Sequence, residues 1–266
     1  MRRGGSIACC CSAAILFAAV LHPSGASAED AAPARQLHSA SEYLSPDLRA
    51  EQDDPGRNRG MLWVELGRSL WSEPAGVMAK SCESCHGAPE TMAGAAARYP
   101  TIDKRTGELL DIGGRINECR TGRQHADALA YESAELLGLT ALVAYQSRGM
   151  PVEVSIDGAA RPFFEHGRAL WHERQGQMNL ACAQCHDVHA GRRLRGDTIS
   201  SGLGTGYPAY RLEWQGLGSL HRRLRACQIG VRATPLPLGS PEYLALELFL
   251  AHRAKGLPLE APAIRR

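Results

Sequence analysis

Set aside the first 28 residues and the chain has no net charge. Without Arg2 and Arg3, its 28 remaining Lys and Arg residues equal its 28 Asp and Glu residues. A general basic surface for nucleic acid or anionic lipid is therefore excluded. A comfortable membrane span is also lacking, since the apolar stretch from Ile7 to Leu21 is too short. That stretch follows Arg2 and Arg3 and is followed by "GASA", ending at Ala28, which reads as a cleaved Sec-type secretory signal over residues 1–28. A lipoprotein anchor would need a cysteine at the far end of the apolar run, whereas Cys9, Cys10 and Cys11 sit at its start. Convincing β alternation is missing too, which speaks for an all-α chain.

The 238 residues after the signal suffice for two modest domains. They keep six cysteines: Cys82, Cys85, Cys119, Cys182, Cys185 and Cys227. An oxidising periplasm would allow three disulfides, but "CESCH" (Cys82 to His86) and "CAQCH" (Cys182 to His186) have the c-type haem attachment pattern. Two thiols one helical turn apart can add across both vinyl groups of a porphyrin, and the adjacent histidine then reaches the iron as proximal ligand. One such motif would also suit half a zinc site. Two behind an export signal point to two covalently bound haem c groups, held by Cys82 and Cys85 and by Cys182 and Cys185.

The motifs stand one hundred residues apart, as do "GRSLW" (Gly67 to Trp71) and "GRALW" (Gly167 to Trp171). Tyr99-Pro100, Arg115 and Cys119 match Tyr207-Pro208, Arg223 and Cys227 at an offset of 108. "SAELLGLTALVAYQSRGMP" (Ser133 to Pro151) matches "SPEYLALELFLAHRAKGLP" (Ser240 to Pro258) at 107. Such a long repeat implies an internal duplication. The boundaries read as an N-terminal extension at 29–57, a first domain at 58–151 and a second, catalytic domain at 152–266. The Glu29 to Asn58 stretch, rich in Ala, Pro, Ser and Asp, is expected to form an extended arm. Leucines at three- and four-residue spacing after Ser133 and Ser240 predict the longest helices, each with an N-cap serine and an acid two residues on. Each unit, helix-loop-haem-loop-helix over about one hundred residues, resembles the class I cytochrome c fold, in which the porphyrin supplies much of a small core.

The distal ligand carries the functional argument. An electron-carrying cytochrome c uses methionine there, which raises the potential. The candidates are Met61, Met78, Met92, Met150 and Met178, and Met150 in "GMP" matches Leu257 in "GLP". Methionine is accordingly read as unduplicated, whereas the cysteine at 119 recurs at 227. A Cys119–Cys227 disulfide is the alternative, but it would bring equivalent positions of two domains face to face. Thiolate ligation is preferred because it stabilises ferric iron and keeps the nucleophilic form of cysteine beside an electron sink. If "RRLRAC" is helical, Arg223 shares a face with Cys227 and can hold a sulfur oxyanion by paired hydrogen bonds. Arg115 stands equally before Cys119, where a haem propionate is an equal claim on it. The richer cluster of Arg222, Arg223 and Arg225 and the glycine-rich approach "SSGLGTGYPAY" favour Cys227. His125, His166, His172, His189, His221 and His252 read as surface or packing residues, with His221 the least secure.

Two CxxCH motifs, a lone cysteine after each, and "YPAYR" ahead of "RRLRAC" resemble SoxA, the dihaem subunit of the SoxAX cytochrome of sulfur oxidation, an L-cysteine S-thiosulfotransferase. The resemblance runs from about Asn58 to Leu259. It implies axial pairs His86 with Cys119 and His186 with Cys227, an active Cys227 found in that family as a persulfide, and Arg223 as substrate ligand. It also implies a SoxX-type monohaem partner, thiosulfate as substrate, and the carrier SoxYZ as acceptor. Thiosulfate dehydrogenase, a non-catalytic dihaem electron carrier and a dihaem peroxidase are the rival readings.

Overall fold

The computed structural model describes residues 1, 4, 5 and 37–266, so the expected signal peptide lies outside the described residues. Leu37–Arg266 forms one compact unit. Its helices are α1 (Pro46–Asp53), α2 (Met61–Ser72), α3 (Glu83–His86), α4 (Ile112–Cys119), α5 (Ala134–Tyr145), α6 (Arg161–His172), α7 (Cys182–His186), α8 (Leu220–Gly230) and α9 (Pro241–Arg253). Among the described residues no helix is long and apolar enough to cross a membrane.

Two crossed helix pairs organise the core. In α2 the buried residues are Val64, Gly67 and Trp71, and in α6 they are Phe164, Gly167 and Trp171. Each stripe faces a long partner helix, α5 or α9. At the crossings a glycine lets backbone meet backbone: a Cβ on Gly67 would lie 2.1 Å from the Gly138 carbonyl oxygen, and one on Gly167 would lie 2.0 Å from that of Ala245. The partner helices start as expected. Ser133 Oγ accepts from Leu136 N at 3.2 Å and Ser240 Oγ from Tyr243 N at 3.4 Å, with Glu135 and Glu242 in the first turns. Apolar on all sides, α5 runs through the interior.

The all-α expectation needs correction, because short strands occur. They are β1 (Thr101–Ile102), β2 (Leu109–Leu110), β3 (Arg193–Leu194), β4 (Asp197–Thr198), β5 (Ala209–Arg211), β6 (Gly216–Gly218) and β7 (Ala263–Arg265). β1 pairs with β2 and β3 with β4, while β5 lies between antiparallel β6 and parallel β7. Two or three residues cannot display a period of two, so alternation gave no warning of them.

The described part of the N-terminal extension is helical rather than extended. α1 packs against the C-terminal strand, and in a 3₁₀ turn (Ala40–Tyr43) Ser41 Oγ donates to Glu260 Oε1 at 2.6 Å. Gln52 Oε1 accepts from Ile264 N at 3.2 Å and Arg265 Nη1 at 2.6 Å, and Asn58 Nδ2 donates to the Pro262 carbonyl at 2.9 Å. The segments after the two long helices also pair, Pro151 opposite Pro258, with Val152 N donating to Leu257 O at 2.9 Å.

Gly67→Ala and Gly167→Ala should each destabilise the haem-loaded chain by about 1–3 kcal/mol, because a carbonyl oxygen cannot yield as a side chain can. Gly196→Ala, with open space at its Cβ position, should leave stability unchanged. Denaturant unfolding checks this; wild-type midpoints for the first two would refute it.

Candidate haem and thiolate sites

Each CxxCH segment folds as a single turn beside a buried tryptophan. Trp71 lies 5.8 Å from the His86 ring, with Nε1 donating to Gly87 O at 2.9 Å. Trp171 lies 5.7 Å from the His186 ring, with Nε1 donating to Asp187 Oδ2 at 2.7 Å. His186 Nδ1 is 2.8 Å from the Ser200 carbonyl oxygen, which makes Nδ1 the donor and leaves Nε2 with a free lone pair. That tautomer suits a metal-bound histidine, oriented as such ligands are by a carbonyl behind the ring. Paired thiols, an oriented imidazole and a thiolate-prone cysteine therefore fit a haem c.

The two lone cysteines occupy matching places but differ in character. All six cysteines are free, so Cys119 and Cys227 form no disulfide. Cys119 ends α4, and burial followed by the charge of Glu118 pushes its thiol up, against Arg115 and Arg123. Cys227 lies within α8. Burial alone would push its thiol up, but the nearby His186 and the charge of Arg223 bring it down. Burial, then the nearby Cys227, pushes Cys182 up to about 11.

The arginines explain part of this difference. Both "RINEC" and "RRLRAC" are helical, so each arginine does share a face with its cysteine. Arg115 is paired with two carboxylates: Nη1 meets Asp103 Oδ2 at 2.6 Å and Glu118 Oε2 at 2.7 Å, and Nε donates to Tyr99 Oη at 3.2 Å. Arg223 has only Glu213 Oε1, 3.9 Å from Nη1, and among the described residues its side chain makes no hydrogen bond. Arg222 turns away to stack 4.2 Å over Trp214.

The chain has 38% identity over 231 residues with the L-cysteine S-thiosulfotransferase subunit SoxA of Rhodovulum sulfidophilum, covering 86% of this chain and 80% of that protein. It has 36% identity over 229 residues with the subunit of the same name from Paracoccus pantotrophus, covering 86% and 79%. The family model described as the SoxA/TsdA cytochrome c domain matches residues 66–152 and 166–259. The chain belongs to the SoxA family. A crystal structure of SoxXA from P. pantotrophus superposes on it with a TM-score of 0.84 and 36% identity, over 86% of this chain and 87% of that one. As a SoxA-family cytochrome c, the chain has covalent haem c as its cofactor.

Two readings of the sequence change, and the packing reading of His221 holds. Methionine is in fact duplicated: Met78 and Met178 stand one hundred residues apart. They sit on matching hairpins, 46% and 52% exposed, with backbone amides bonded to Gln124 O and Val231 O. The glycine-rich approach is packed rather than open, since Ser201, Leu203 and Thr205 are buried and a Cβ on Gly202 would strike Trp171 and His186. His221 takes a packing role. It is buried, accepts from Gly239 N at Nδ1 (3.1 Å), reaches Glu247 through Nε2 (2.9 Å) and stacks on Tyr131 at 5.5 Å. Arg211, Glu213 and Trp214 beside Arg223 went unassigned. Arg211 lies sixteen residues before Cys227, so no local spacing announces it.

Asp103 carries a pH signature. Amides of Arg105 and Thr106, then Arg115, hold its carboxyl below the usual range. Its contribution to stability is therefore complete above about pH 4 and is lost as pH falls through the lowered pKa. Asp103→Asn should lower stability at neutral pH and weaken its dependence on acid. Unfolding curves at several pH values check this, and parallel acid limbs for variant and wild type would count against it.

Proposed function

We propose that this SoxA-family chain is a periplasmic dihaem cytochrome that couples thiosulfate to a cysteine of a SoxYZ-type carrier. One haem would be held by Cys82 and Cys85, with His86 and Cys119 as the residues offered to its iron, and the other by Cys182 and Cys185, with His186 and Cys227. The recurrent helix crossings, tryptophan–histidine contacts and helical arginine–cysteine pairs support two cytochrome c-like units from one duplication, 58–151 and 152–266, behind a cleaved 1–28 leader. The observation that carries the catalytic assignment is the asymmetry at the arginines. Arg115 is neutralised by two carboxylates, whereas Arg223 keeps its donors one helical turn before Cys227.

Arg223 orients the thiosulfate sulfonate so that its outer sulfur faces Cys227. A sulfur–sulfur bond joins the Cys227 thiolate to that outer sulfur, and two electrons leave. The carrier thiolate then attacks the transferred sulfur, forming the carrier S-thiosulfonate and regenerating the Cys227 thiolate. In sum, a carrier thiol and thiosulfate give the conjugate, one proton and two electrons. The haem groups supply the electron-accepting chemistry, and a SoxX-type monohaem cytochrome forming a heterodimer receives the electrons. The family model also spans TsdA, and a carrier-free assay separates the thiosulfate dehydrogenase reading, which would yield tetrathionate without SoxYZ.

Cys227→Ala should abolish coupling, and Arg223→Ala should mainly weaken thiosulfate use. A mass map of unreduced protein should show a sulfur or thiosulfate adduct on the Cys227 peptide and none on Cys119. Full turnover by Cys227→Ala would overturn the assignment.

A further inference from the structure

Between Tyr99 and Arg115, and between Tyr207 and Arg223, the two halves have equal length, so positions correspond without a gap at the offset of 108. Arg211 then corresponds to Asp103. In the first half that position holds the carboxylate that pairs with Arg115. In the second it holds another cation, so the same site is closed in one half and doubly positive in the other.

Arg211 is firmly placed. It is 6% exposed, on the central strand of the three-stranded sheet, with its guanidinium 5.0 Å from the Trp214 ring centroid. Nε donates to Glu213 Oε1 at 2.8 Å, the oxygen that faces Arg223 Nη1 at 3.9 Å. One carboxylate thus lies between two guanidinium groups, and Arg223 stands one helical turn before Cys227 on α8. Among the described residues the terminal nitrogens of Arg211 and Arg223 form no hydrogen bond. Glu213 is 49% exposed and carries one negative charge against two positive ones.

We propose that Arg211 is a second anchor for the sulfonate oxygens of the substrate, and that Glu213 is a displaceable carboxylate occupying the same place between substrates. A half-exposed carboxylate costs little to return to water, whereas the buried Arg211 must keep an anionic partner. A dianionic sulfur oxyanion, with three oxygens for two planar donor forks, replaces Glu213 and completes the neutralisation. Glu213 is then a positioning residue that holds the empty cradle together and competes with substrate for it. This rests on the reading of Arg223 as a substrate ligand.

The test uses the haem-loaded chain with its cytochrome partner and carrier, measuring thiosulfate dependence of coupling and inhibition by inorganic sulfate. Glu213→Gln should lower KM and the sulfate inhibition constant severalfold. Arg211→Gln should raise both by about ten- to a hundredfold, with kcat moving less. Arg211→Lys should recover part of the loss. The opposite signs matter, since general damage to the site would raise KM in every variant, and Glu213 lies on an exposed turn whose replacement spares the core. Unchanged KM in both Glu213→Gln and Arg211→Gln, with KM raised in Arg223→Ala, would overturn the inference and leave the proposed function standing. A shifted haem potential in Arg211→Gln without a change in KM would overturn it as well, by assigning Arg211 to a haem propionate. Wild-type KM in Arg223→Ala together with full turnover in Cys227→Ala would instead defeat the proposed function.

Discussion

Everything at the two sites hangs on backbone contact at a pair of helix crossings. Gly67 against Gly138 and Gly167 against Ala245 bring the helix axes closer than any side chain would permit. Tryptophans one turn further on, Trp71 and Trp171, then stand beside the histidines of the CxxCH turns, their rings tilted by 40° and 34°. The crossing thus sets the floor on which each imidazole stands. Loosening it would move the histidine before it moved anything else, since a packed interior transmits displacement rather than absorbing it.

On this common frame the halves diverge by charge rather than by shape. Asp103 in one and Arg211 in the other stand at corresponding positions beside a helical arginine and its cysteine. The first half closes into an ion-paired, self-sufficient cluster. The second keeps excess positive charge around a single half-exposed carboxylate. A salt bridge completed within the chain leaves nothing for a ligand, and one left incomplete in a partly buried place invites an anion.

The supports of that incomplete site come from both ends of the chain. β5, which carries Arg211, lies beside β7 near the C-terminus, and β7 is tied to Gln52 of α1. Tyr210 and Leu217 pack into the cluster of the first half, while Leu109 joins that of the second. The two halves therefore share their cores, and the arm before the first repeat works as part of the second.

Much was legible in the residues themselves. The haem motifs, the repeat, the serine caps and the helical spacing of Arg223 with Cys227 are local features, decided within a few residues by covalent spacing and hydrogen bonding along the chain. Local spacing also suggested the wrong things: room in a glycine-rich loop that in fact packs against Trp171 and His186, and an extended arm whose described part, from Leu37, is largely helical. The sequence by itself determined which residues are candidates for the chemistry of iron and sulfur. Only the tertiary structure decided which arginine keeps its donors, because Asp103 reaches Arg115 and Arg211 shares Glu213 with Arg223 across the fold, contacts no periodicity records.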